Sequence, residues 1–135
     1  MAKQKKPQKQ PRPQQPLIAW QDDAPESDYQ SAAHFLALLD NREHIDTLLA
    51  DLRVAPIVEY KAIDLLRAAQ LIVPKQDDLP TREQLRQIRD GEPIAPILLV
   101  RVEALKKVIV ADGFHRICAA YRTDPDVMLH CKLVG

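Results

Sequence analysis

From Ser27 onward the spacing of apolar positions switches repeatedly between a helical and a strand period, which marks out alternating helices and short strands. Ser27-Asp28-Tyr29-Gln30 fits a capping box, with Ser27 at the N-cap and Gln30 three residues on, and the amphipathic run continues to Leu39. Asn41 is placed to cap a second segment, in which Ile45, Leu48, Leu49 and Leu52 share one stripe. The pattern predicts a helical hairpin or one bent helix over 28–53, ended by Pro56. Ile57–Lys61 is β-rich and reads as a strand, and Ala62–Gln70 as a short helix.

A partly polar connector covers 71–78. Thr81-Arg82-Glu83-Gln84 then reads as a second capping box, for a helix whose stripe holds Leu85 and Ile88. Gly91 stands where such a helix ends in a left-handed residue. The apolar run Pro96–Val102 suits a strand buried on both faces, and Val108–Ala111 is placed to pair with it as a hairpin. Asp112-Gly113 leads into a helix that ends near Thr123-Asp124-Pro125, and Val127–Val134 alternates as a last strand. The expected architecture is a small α/β (α+β) domain, with helices packed on a mixed sheet of about four strands. By segment, 1–26 reads as a tail and linker, 27–54 as an N-terminal helical segment and 55–135 as the α/β domain.

Charge changes this picture at one end only. The 135 residues hold 19 Lys+Arg and 19 Asp+Glu, a formal net charge of zero, which argues against a strongly basic nucleic-acid binder. Residues 1–16 nevertheless carry five basic residues and no acid, so the remainder has 14 basic against 19 acidic residues, a net of −5. That Lys/Gln/Pro tail lacks the apolar surface to offset ordering entropy and reads as disordered and solubilising, with weak non-specific nucleic-acid contact through charge alone. Trp20 is a single aromatic handle that docks either onto the body or onto a partner.

Two cysteines make no disulfide framework, no apolar leader follows the lysines, and no stretch is long enough to span a bilayer. The expectation is a cytoplasmic protein without a membrane role. His34 and His44 lie apart on the first helices, and His130 and Cys131 are neighbours on the last strand, so no zinc-like spacing arises and no protein-held metal is expected.

Chemistry concentrates at Asp112-Gly113-Phe114-His115-Arg116. Gly113 is the single glycine between a buried strand and a helix, where the absence of Cβ lets the backbone turn sharply and a ligand approach the main chain. The first N–H groups of the following helix have no intrahelical partner and carry the positive end of the helix dipole, a ready anion site. Phe114, Ile117, Cys118 and Tyr121 form the expected core face. His115 and Arg116 fall away from it, free to face the elbow or solvent. Arg116 offers a planar fork for phosphate, His115 donates or titrates near neutral pH, and Asp112 caps the helix or helps hold a metal beside a phosphate. The anion site stands against a plainer alternative, a glycine-turned helix with a surface His and Arg.

The run Val110-Ala111-Asp112-Gly113-Phe114-His115-Arg116-Ile117-Cys118-Ala119-Ala120-Tyr121 resembles the strand, Gly-x-His-Arg and helix of the ParB/sulfiredoxin-like superfamily. The resemblance extends over about residues 55–134, with "PIVEYKAIDLL" as entry strand and helix, "LPTREQLRQIRDGEPIAPILLVRV" as the following helix, turn and strand, and "MLHCKLV" as the closing strand. It implies an α/β domain that holds a nucleotide phosphate chain, a nucleoside triphosphate with Mg²⁺, at Gly113, Phe114, His115 and Arg116, with nucleotide hydrolysis or phosphotransfer as the attached activity.

Position-by-position transfer narrows this. Phe114 stands where sulfiredoxins carry their catalytic cysteine, and Cys118 lies one turn on, toward the core, so sulfinic-acid reduction is not expected. The partition proteins' helix-turn-helix has no counterpart before Gly135, and their arginine-rich box is reduced to Arg116, so a centromere clamp is not expected either. Phosphotransfer needs a carboxylate to take a hydroxyl proton, for which Glu59, Asp77, Asp78 and Asp112 are available; Asp112, His115 and Glu59 are the catalytic candidates. The expected partner is a nucleotide or phosphorylated small molecule. The alternative is a non-catalytic interaction module with a degenerate site, bound to a protein partner or a second copy, or a DNA-associated accessory protein.

Overall fold

The computed structural model describes residues 18–135, so the expected disorder of 1–16 lies outside the described residues. Five helices and four strands are present among them: α1 (Glu26–Leu36), α2 (Arg42–Val54), β1 (Val58–Lys61), α3 (Ala62–Ala69), α4 (Leu79–Arg89), β2 (Ile97–Val102), β3 (Lys107–Asp112), α5 (Phe114–Thr123) and β4 (Met128–Val134), with a 3₁₀ turn over Glu103–Leu105. The sheet order is β1-β4-β2-β3. β1 and β4 pair antiparallel, β4 and β2 parallel, and β2 and β3 antiparallel, giving the mixed α+β sheet that the pattern predicts. No helix among the described residues is long and apolar enough to cross a membrane.

The sheet lies between two helical layers, because its alternating residues serve two cores. Leu98, Val100 and Ala111 face α1 and α2, packing with Tyr29, Ala32, Leu36, Leu48 and Leu52. Ile97, Leu99, Leu129 and Cys131 face the other way, onto Leu65 and Leu66 of α3 and Ile117 and Ala120 of α5. Residues 27–54 are thus the cover of the sheet's second face. That cover is what lets Ile97–Val100 be buried throughout. α4 packs on α5, with Ile88 against Ala119.

Helix starts differ from the sequence expectation at two places. α1 begins after Pro25, with no side-chain cap, and Ser27 lies inside its first turn. α4 is capped by Asp78, whose Oδ1 accepts from the Thr81 N–H at 3.0 Å, so Thr81 is a buried first-turn residue and no cap itself. Asn41 caps α2 as expected, accepting from the His44 N–H. Gly91 takes a left-handed φ of 72°.

The segment before α1, expected as a linker, is strapped to the body. Trp20 bridges to Ile94, the Gln21 N–H donates to the Ile94 carbonyl, and the Ile94 N–H donates to the Ala19 carbonyl. The Trp20 ring stacks on His130 at 4.9 Å between centroids, so it docks in cis. Beneath the strap, buried Lys132 donates to Asp23 Oδ1, the Tyr29 hydroxyl and the Arg53 carbonyl, and the Tyr29 hydroxyl donates to Asp23 Oδ1. Burial pulls the Lys132 ammonium down, but its bonds to Tyr29 and Asp23 outweigh this and hold it above the usual lysine range.

Candidate functional site

The elbow between β3 and α5 is built around Gly113, at φ 115° and ψ 16°. A Cβ there would stand 2.9 Å from Ile97 Cδ1 and 3.0 Å from Arg116 Nη2, so both the backbone angle and the packing call for glycine. The first intrahelical bond runs from the Ile117 N–H to the Gly113 carbonyl. The amides of Phe114, His115 and Arg116 therefore have no intrahelical acceptor. β3 reaches the elbow through a bulge, where the pairing shifts between Leu98 and Leu99. The bulge puts Asp112 opposite Leu98, on the α1 side of the sheet.

Arg116 departs from the helical-wheel expectation. It is buried, at 8% exposure, and faces neither open elbow nor solvent. Nη1 donates to Asp28 Oδ2 at 2.8 Å and to the Ala95 carbonyl at 3.2 Å, and Nη2 donates to Asp112 Oδ2 at 2.7 Å. Its fork is occupied by two carboxylates and a main-chain oxygen, so its work in this structure is to tie α1, β3 and the start of α5 together. Burial pushes the Asp112 carboxyl up to about 6; Arg116 opposes that shift and Asp28 adds to it.

His115 reaches across to α4. Its Nδ1 lies 3.2 Å from Thr81 Oγ1 and 3.3 Å from Asp78 Oδ1. The N-terminal turns of α4 and α5 thus meet at the elbow, with His115 as the link. The Thr81 N–H and hydroxyl hold the Asp78 carboxyl below the usual carboxylate range. Thr81 and Asp28 are the site residues that sequence reasoning missed. Thr81 carried a signal, its polar position beside the α4 stripe, but one that equally fits a cap.

Phe114 is only partly buried and lines a groove, so it is not a core residue; its ring meets that of His115 edge-to-face. The groove holds about 700 Å³ and runs along the outer edge of β3 from Leu105 to His115, walled by Phe35 of α1, by Leu39 in the turn after it and by Leu71 beyond α3. Such a volume lies within the range of small-molecule sites.

The other sequence candidates lie elsewhere. Glu59 is on β1, at the opposite edge of the sheet, 3.1 Å from His130 Nε2, and is not brought to the elbow. Asp77 pairs with Arg122 at 3.0 Å. Cys118 and Cys131 are buried, with thiols pushed up by burial to about 11 and about 12, so neither presents a thiolate.

No group of three or more His, Cys, Asp or Glu side chains is set to hold a metal among the described residues. Asp28 and Asp112 are engaged by Arg116, and Asp78 by Thr81 and His115. The residues at the elbow, with these carboxylates already engaged, therefore do not fit a protein-held Mg²⁺. Comparison with family models, curated proteins and solved structures found no match for the chain.

Proposed function

We propose that this chain binds a nucleotide or another phosphate-bearing small molecule at the elbow between β3 and α5, in the manner implied by its resemblance to the ParB/sulfiredoxin-like superfamily. The observation that carries the reading is the meeting of two helix N-termini at His115. The α5 amides lacking intrahelical acceptors lie beside Gly113, where Gly113, Phe114 and His115 line the end of the groove, while the α4 N-terminus, capped by Asp78, reaches the spot through its contact with His115. An anion there is favoured by the backbone donors of α5 and the positive end of its dipole. The organic part of the ligand lies against Phe114, at the adjacent end of the groove. Arg116 shapes the site by holding the elbow closed and makes no phosphate contact.

The test is equilibrium titration of ATP, CTP, GTP and UTP, with Mg²⁺ in solution, into wild type and His115→Ala. Saturable binding of one nucleotide, weakened at least about tenfold by the substitution (about 1.4 kcal/mol), supports the reading. Absence of binding by the folded wild type overturns it.

One observation favours the second reading, an interaction module without turnover. Asp28 and Asp112 beside the elbow are drawn into ion pairs with Arg116, and the guanidinium is itself occupied by them. Binding without hydrolysis or transfer is the outcome that reading expects.

A further inference from the structure

The groove beside the elbow is also an open sheet edge. β3 is the last strand of the order β1-β4-β2-β3, so one side of its backbone pairs with β2 and the other has no strand partner among the described residues. Native edges are normally blunted by proline, by inward charges or by a covering element. Here Val108-Ile109-Val110-Ala111 contains neither proline nor charge. The bulge that bends the strand comes only at its elbow end. Around the edge stand exposed apolar side chains: Phe35 at 42%, Leu39 at 55% and Leu105 at 63%. An unpaired edge between apolar walls is the arrangement that accepts an added strand.

We propose that the added strand is β3 of a second copy of this chain, paired antiparallel about a two-fold axis at Ile109. The argument is self-complementarity. A two-fold normal to the sheet keeps the α1 layer of both copies on the same face, so the paired positions must have the same parity. Centred on Ile109, this register sets Val108 opposite the partner's Val110 and brings Lys107 to the partner's Ala111, beside its Asp112. The strand begins with its one cation and ends with its one anion, on the same face, because the bulge turns Asp112 to the α1 side with Lys107. Antiparallel self-pairing thus matches opposite charges at both ends of the ladder, with β-branched residues facing each other between them.

α1 runs over β3, its Asp28 end near the elbow, and its Phe35 end, with Leu39 in the turn that follows, near Lys107. In the pair the two α1 helices lie side by side and antiparallel, covering Phe35 and Leu39. The elbow itself lies past the end of the ladder and remains open. The partner's Lys107 arrives next to it, supplying a cation that Arg116 does not. This last point rests on the anion-site reading above; the pairing does not.

The test is sedimentation of the full chain without ligand, from about 1 to 100 µM, beside hydrogen exchange of the β3 amides. A dimer whose Lys107–Ala111 amides exchange more slowly as concentration rises supports the proposal. A monomer across the range overturns it, whatever the nucleotide titration shows. Leu39→Glu and Leu105→Glu, at exposed positions, and Lys107→Glu, which sets like charges beside Asp112, are each expected to weaken association at least tenfold. Val54→Glu, at an exposed apolar site on α2 away from the groove, is expected to leave it unchanged. If all three groove variants, folded by circular dichroism, associate like wild type, the surface assignment is wrong.

Discussion

Arg116 and Asp28 are 88 residues apart in the chain and joined by a 2.8 Å ion pair beneath the elbow. The contact binds the first helix to the first turn of the last one. With Asp112 on the other arm of the guanidinium, it makes the elbow's shape depend on the N-terminal layer.

Arg116→Ala is therefore expected to act on stability. Removing the cation leaves two partly buried carboxylates side by side, which in buried pairs costs roughly 3–5 kcal/mol. Urea denaturation of wild type and variant measures it. A loss below about 1 kcal/mol, the scale of a surface ion pair, contradicts the structural role.

Asp112 gives the elbow a pH signature. Its carboxyl titrates near about 6 when folded, above its ordinary value of 3.8, so between those values the folded state binds more protons than the unfolded state. Stability from this group is fully present below the unfolded value and is lost as pH rises through about 6. The carboxylates of Asp23, Glu26, Asp78 and Glu83 are shifted the opposite way and lose stability at lower pH. The expected result is that melting temperature declines between pH 5 and 7 in wild type, and that Asp112→Asn flattens this decline. Equal slopes in the two proteins contradict the assignment.

Gly113→Ala is expected to cost on the order of 1–3 kcal/mol for the strained backbone, and more for the contact at 2.9 Å with Ile97. Thermal unfolding reads the cost. A neutral substitution would mean that the elbow relaxes, and that the glycine is not needed for the turn.

Lys132→Met tests the strap. Asp23 and the Tyr29 hydroxyl keep their bond to each other but lose their shared cation, and the Arg53 carbonyl loses its Lys132 donor; hydrogen bonds to a charged group are worth about 1.5–3 kcal/mol. Release of the strap is expected to raise exposure of Trp20, seen as a red-shifted emission and faster proteolysis before α1. Unchanged emission in a folded variant contradicts the role of the cluster.

The strands and most helices were legible because each is specified locally. Ile97–Val100 is apolar without a break, Ile45, Leu48, Leu49 and Leu52 fall on one stripe, and Gly91 and Asn41 occupy positions that few other residues suit. The helix starts at Pro25 and Asp78 were less so. Asp78 and Thr81 are both capping residues three apart, and burial of Thr81 against α5 decides between them only in three dimensions. The elbow could be read from Gly113 alone, but the direction of Arg116 could not. Its i−4 partner Asp112 lies within sight along the chain, whereas Asp28 comes from a layer whose docking face the local pattern does not encode.

The central claim, that an anion sits at the meeting of α4 and α5, is tested most directly by amide chemical shifts. Isotope-labelled protein would be titrated with the tightest-binding nucleotide and, separately, with inorganic phosphate. The account predicts saturable shifts at Gly113, Phe114, His115 and Arg116 and at Thr81, with much smaller changes at Glu59 and along β1. Shifts that bypass the elbow, or none in a folded protein at millimolar ligand, would contradict it.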